Sequence, residues 1–360
     1  MRLGIGLYRH MLDDEYFKFA SQLGCTDIII HLATYYSGEV VTSTDSKHNY
    51  GKSEADDPAW TEDFISNLIK KAKNYGLNIY GIENFSPSHW HDVLLDGPER
   101  EREMEHLKSI IKIVGKCGIK AFGYNFSIAG VWGHQHKNRA RGGAESVSFD
   151  ASELDLEAPI PNGEVWNMTY DPNASAGFIA PISEEELWRR FRLFLKEILP
   201  VAEASGVEMA LHPDDPPMPR MRQTARLVYQ PEYYDDVISI SSSPSNKLEF
   251  CMGSIQEMTH GDIYASLDKY SKANRISYIH FRNVKGKVPH YDEVFVDDGD
   301  IDMYRAIKIL ANNHFDGLLI PDHTPLITAG GDPWKAGMSY AIGYMKALMD
   351  VLRKEGMLNE

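Results

Sequence analysis

Short apolar runs alternate with longer amphipathic stretches along this chain. The runs Leu3–Leu7, Asp27–Leu32, Asn78–Glu83, Ala121–Phe126, Val207–His212, Leu248–Cys251, Ile276–His280 and Gly317–Ile320 have the length and composition of buried strands. Between them, Trp60–Tyr75, Arg100–Gly115, Leu187–Ala204 and Asp302–Asn312 repeat apolar residues at helical spacing. In the third of these, Leu187, Phe191, Phe194, Leu195, Ile198 and Val201 make one stripe, and Ser183–Glu186 reads as a capping box at its start. Eight strands alternating with helices predict an α/β protein of the (β/α)8 TIM barrel class, as one catalytic domain over residues 1–360.

Residues 133–181 break the alternation. They are rich in Gly, Asn, Pro, Ser and His and show little periodicity. A stretch of this kind inside a compact domain is usually functional or disordered. It follows strand 4, so it is expected to leave the barrel at its catalytic mouth, as a lid or a contact to a partner subunit.

Parallel barrel strands all point their C-terminal ends at that mouth. Four consecutive predicted strands end in a potential metal ligand: His212, Cys251, His280 and Asp322. Alone, a strand histidine is an ordinary packed side chain, and a cysteine after an apolar run is a small core hydrophobe. Convergence at one mouth is what makes a metal-dependent enzyme the leading reading. The mixed donor set suits zinc or iron through its thiolate and manganese or magnesium through its carboxylate. Four protein ligands plus a substrate oxygen favour a metal that accepts five or six ligands, such as Mn2+ or Fe2+.

Composition narrows the partners. With 360 residues and 43% hydrophobic content the chain can bury a substantial core. A net charge of −15 offers no basic field for nucleic acid. Three scattered cysteines make no disulfide framework and point to a reducing, cytoplasmic setting. The start, MRLGIGLYRH, lacks a long apolar segment, and no run approaches the length of a membrane helix. The expected partner is a small molecule, and a homo-oligomer, a dimer, is the expected assembly.

Several long motifs, in order, resemble the mannonate dehydratase family. They are GCTDIIIHLATYYSGEVV at Gly24–Val41, the strand end at Glu83, the helix and CGIKAFGYNF within Pro98–Phe126, and ISEEELWRRFRLFLKEILPVAEASGVEMALHPDDPP at Ile182–Pro217. SSPSNKLEFCMGS at Ser242–Ser254, HFRNVK at His280–Lys285, DGDIDMY at Asp298–Tyr304 and PDH at Pro321–His323 follow. The resemblance implies a lyase of hexuronate (glucuronate) breakdown that dehydrates D-mannonate to 2-keto-3-deoxy-D-gluconate. It implies a divalent cation, usually manganese, on His212, Cys251, His280 and Asp322. It also implies proton transfer by His323, with Tyr340, before Ala341-Ile342-Gly343, as a second catalytic candidate. The C2 proton of such a substrate is weakly acidic. A cation beside the carboxylate stabilises the charge left behind, while a base and an acid handle the C2 proton and the C3 hydroxide. The planar fork of Arg282 could pair with the substrate carboxylate, with a structural ion pair as its alternative. Asn125, Tyr124, His31 and Glu83, at strand ends, are candidates for sugar hydroxyls.

Departures from the family pattern fall on the substrate side. The first strand reads Gly6-Leu7-Tyr8-Arg9-His10 where the family has RWYG, and Gly38–Val41 reads GEVV for GEVW. A complete NGEVW at Asn162–Trp166 lies away from the family position and reads as a chance match. The alternative function is therefore dehydration of another sugar acid, or a sugar isomerase or epimerase on the same barrel. A sugar-binding barrel without turnover is the reading from another class.

Overall fold

The computed structural model describes residues 1–35, 51–328 and 330–358. The GEVV segment lies outside them. Eight parallel strands close into a barrel in sequential order. They are β1 (Arg2–Leu7), β2 (Asp27–Ile30), β3 (Asn78–Glu83), β4 (Ala121–Tyr124), β5 (Glu208–Leu211), β6 (Asn246–Cys251), β7 (Ile276–His280) and β8 (Leu318–Ile320). The (β/α)8 barrel expected from the alternation is present. The long helices form at Glu62–Lys73, Arg100–Lys116, Glu184–Ser205 and Met303–Asn312.

Helix Glu184–Ser205 shows how local sequence sets an element. Ser183 accepts a hydrogen bond from the Glu186 backbone N–H at 3.2 Å. The reciprocal half of the predicted box does not form, because the Glu186 carboxylate pairs with Arg189 and Arg190. The stripe Leu187, Phe191, Phe194, Leu195 and Ile198 is buried against the sheet, each side chain contributing about 1.5–3 kcal/mol by leaving water. Inside the barrel, Ile29, Tyr80, Ala121, Ala210, Tyr278, Leu318 and Ile320 pack as one cluster. The barrel is thus a filled core with its chemistry confined to the mouth.

The insertion is not the structureless stretch its composition suggested. Strands Gln135–Ala140 and Ala144–Asp150 form a hairpin. It joins a second hairpin, Asn283–Lys287 with His290–Val294, from the loop after β7. The two make a four-stranded antiparallel sheet, joined through Tyr291 opposite Phe149 and Asp292 opposite Ser148. Its pairing partner is far away in the chain, which is why periodicity within the insertion carries so little signal.

Candidate active site

The strand ends converge. His212 follows β5, Cys251 ends β6, His280 ends β7, and one ligand atom from each lies within 4.8 Å of the other two. Asp322 follows β8 and brings Oδ2 to 3.2 Å from Nδ1 of His280. Asp322 adopts the left-handed region, φ 64°, an uncommon choice for a side-chain-bearing residue and one that clusters at functional sites. His212 directs Nδ1 at the Pro213 carbonyl, 2.6 Å away, which leaves Nε2 as the atom that could ligate a cation.

The surrounding charges act in opposite directions on the thiol and on the two imidazoles. Burial by itself pushes the Cys251 thiol up, but the Arg282 guanidinium and hydrogen bonds from His212 and His280 pull it down to about 5. It is a thiolate at neutral pH, the form that binds metals. Burial disfavours charge on His212, yet the Cys251 sulfur and the charge of Glu249 raise it to about 9. His280 is likewise raised, against burial, by Asp322, Glu249 and Glu83. Both ring nitrogens of His280 are buried without a hydrogen bond of good geometry. A thiolate, two imidazoles and a carboxylate, converging around such nitrogens, fit a divalent cation.

A second carboxylate pair lies behind His280. Its Nε2 is 3.0 Å from Oε1 of Glu249 and 3.4 Å from Oε2 of Glu83. Burial and the charge of Glu83 push Glu249 up to about 8. Burial also disfavours the Glu83 anion, but His31 and His280 hold it down at about 2. Burial and mutual repulsion thus favour a proton on Glu249 over one on Glu83. Gly123 makes room for them, since a Cβ there would collide with the Tyr278 hydroxyl and the Glu249 carboxylate. Strand alternation could have revealed Glu249, which lies two residues before Cys251 and so on the same face of β6.

A cavity of about 680 Å³, counting open solvent at its mouth, lies over this centre. His212, His280, Asp322 and His323 line one side. His31, Glu83 and Asn125, all sequence candidates, line it too. His323 turns Nδ1 to Glu293, 3.1 Å from each carboxylate oxygen. Burial would lower its basicity, but Asp322 and Glu293 raise it to about 9.

Three candidates sit elsewhere. Tyr124 is fully buried on the outer face of β4 against Phe194 of the helix, ring centroids 5.4 Å apart. Alternation turns Asn125 to the cavity and Tyr124 away from it. Tyr340 lies on helix Pro333–Lys354, where it accepts a hydrogen bond from Arg141 at 3.3 Å and packs on Phe295. Arg282 is buried among acids. It donates to Asp215, reaches Glu257 at 2.7 Å, and lies 3.2 Å from both Glu293 and Asp322. Gly253 permits this approach, because a Cβ there would overlap the guanidinium. The structural ion pair, the alternative reading of Arg282, is the arrangement present.

Other cavity residues escaped the sequence reading. Tyr8, Tyr35 and Asn84 form an aromatic and amide wall, with Asn84 donating to the Tyr35 hydroxyl at 3.1 Å. His134 and Trp166 reach the cavity from the insertion. His134 places Nε2 3.1 Å from Asp215. Trp166 has φ 56° and packs against Tyr35 with ring centroids 5.8 Å apart. The NGEVW match, read as chance, thus supplies part of the cavity wall.

A family model described as D-mannonate dehydratase (UxuA) matches residues 41–357. A mannonate dehydratase from Streptococcus equi subsp. zooepidemicus is 33% identical over 74% of this chain and 75% of that protein. The crystal structure of a mannonate dehydratase from Streptococcus suis superposes with a TM-score of 0.78 and 26% identity, covering 100% of this chain and 96% of that one. A D-tagatose 3-epimerase-like protein shares the fold alone, with a TM-score of 0.59 at 12% identity over 99% of each chain.

Proposed function

This chain belongs to the D-mannonate dehydratase family, and we propose that it is a hydro-lyase converting D-mannonate to 2-keto-3-deoxy-D-gluconate and water. The observation that carries this reading is the meeting of His212, Cys251, His280 and Asp322 beside His323, at a cavity that all of these but Cys251 line. In this proposal those four residues hold the metal, Mn2+ before Fe2+, and the reaction runs in the cytoplasm. Held by these residues, a divalent cation would supply Lewis-acid stabilisation of negative charge on the substrate carboxylate.

The chain's own groups do the rest. His323 exchanges a proton through Nε2, because its Nδ1 is held by Glu293. The C2–H bond breaks, its electrons form the C2–C3 double bond, and the C3 hydroxyl leaves with a proton as water. The resulting enol becomes the 2-keto acid. Asn125, His31 and Glu83 are placed to hydrogen-bond sugar hydroxyls. The aromatic wall made by buried Tyr35 and half-buried Trp166 limits competing water.

The test is incubation of the protein with D-mannonate and Mn2+, read out by the thiobarbituric adduct of a 2-keto-3-deoxy acid. Parallel incubations with other six- and five-carbon aldonates set the substrate range. An aldose or ketose product with no loss of water would instead identify an isomerase or epimerase.

A further inference from the structure

We infer that Glu293 is the positioning residue for His323: it fixes the imidazole's orientation and tautomer so that Nε2 is the nitrogen presented to substrate. The inference rests on the reading of His323 as the proton-transfer group. Three observations carry it. Both Glu293 oxygens lie 3.1 Å from Nδ1 of His323, a bifurcated arrangement that aims the ring. Glu293 is buried and absent from the wall of the main cavity; it lines a small adjoining pocket together with His323 and Asp322, so it meets the reacting region beside His323. The carboxylate is itself anchored, with Oε1 3.2 Å from Nη1 of Arg282.

The physical argument is that of any oriented imidazole. A carboxylate facing Nδ1 holds a proton on that nitrogen whether the ring is charged or neutral, so the proton that comes and goes is the one on Nε2. Nε2, 3.6 Å from Oδ1 of Asp322, is then the nitrogen left to give or take a proton, on a ring that lines the cavity. Arg282 does not need Glu293 for neutralisation, because Asp215 and Asp322 already face it. The fourth carboxylate near Arg282 therefore has a further task, and His323 is its one other charged neighbour among the hydrogen bonds and ion pairs of the described residues.

This assigns a task to the sheet outside the barrel. Glu293 lies on strand His290–Val294, opposite Val284 in its own hairpin. On the other side that strand pairs with Ala144–Asp150 of the insertion, through His290, Tyr291 and Asp292. The four-stranded sheet thus holds the carboxylate that holds the imidazole. An insertion that looks like decoration on the barrel reaches the reacting groups through two residues.

The experiment compares Glu293→Ala and Glu293→Gln with the intact protein, loaded with Mn2+ and given D-mannonate. Metal binding is measured by titration, and the His323 tautomer by nitrogen NMR of histidine-labelled protein. Glu293→Ala is expected to lower kcat roughly 10- to 100-fold, the usual range for loss of an orienting partner, with KM and Mn2+ affinity unchanged. The His323 ring should lose its single tautomer. Glu293→Gln, whose amide oxygen still accepts from Nδ1–H, should recover much of kcat and the tautomer. An unchanged kcat in Glu293→Ala, or loss of fold and metal in both variants, overturns the positioning role. If the intact protein does not dehydrate D-mannonate, the functional reading fails, while the tautomer comparison still decides what Glu293 does to His323.

Discussion

Nε2 of His280 lies 3.0 Å from Oε1 of Glu249, while Nδ1 of the same ring lies 3.2 Å from Oδ2 of Asp322. The imidazole is clamped between Asp322, one of the proposed ligands, on one side and the buried pair Glu83 and Glu249 on the other. Its affinity for protons and its availability to a cation are therefore opposed.

That opposition predicts how metal binding depends on pH. His280 is raised above its ordinary value by Asp322, Glu249 and Glu83 and His212 is raised to about 9, so both rings hold protons more tightly than a free imidazole. A cation needs their lone pairs, so binding must release protons. Mn2+ affinity should rise with pH up to about pH 9, by about tenfold per unit for each proton released. Calorimetric titration in buffers of different ionisation enthalpy measures the release. An affinity that is flat with pH would show the rings are already neutral.

Replacing Cys251 or His212 by Ala should strip the metal and abolish turnover while leaving a folded barrel. The reason is that neither side chain is needed to close the sheet. Metal content by elemental analysis and circular dichroism together provide the check. Full activity in a metal-free variant would remove these residues from the site.

His323→Asn should keep the metal, since Asn cannot exchange the proton but leaves Asp322 in place. A lost general acid or base costs roughly 10²- to 10⁴-fold in kcat. Unchanged kcat, measured at saturating substrate and Mn2+, would take His323 out of the mechanism.

Arg282→Met tests the two readings of this arginine against each other. As the shared counter-ion of Asp215, Glu257, Glu293 and Asp322, its loss should cost about 3–5 kcal/mol, because buried charge is left uncompensated. Urea unfolding measures this. A variant of full stability with a greatly raised KM would return Arg282 to the substrate carboxylate.

Much of this protein was legible in its sequence because the β/α unit is local. Strand–helix pairs carry their own period and, in several cases, their own cap, as Ser183 and the Leu187–Ile198 stripe show. Parallel strands in a closed barrel also turn linear order into spatial convergence, which brings His212, Cys251 and His280 to one point. Asp322 joins them from the next strand end. Even the misplaced Tyr124 follows a readable rule, since alternation that faces Asn125 inward must face Tyr124 outward.

Only the tertiary structure could decide the rest. Glu293 meets His323, and the insertion meets the hairpin after β7, through pairings between segments remote in sequence. Such contacts leave no periodic trace. The surroundings of Arg282 are of the same kind: its neighbours Asp215, Glu257, Glu293 and Asp322 come from four different connections around the mouth. Trp166 reaches the cavity wall only because the insertion folds back over the barrel. Local periodicity therefore determined the frame and its ligand-bearing strand ends, whereas the packing of distant loops decided which charges neutralise one another and which side chains face the substrate.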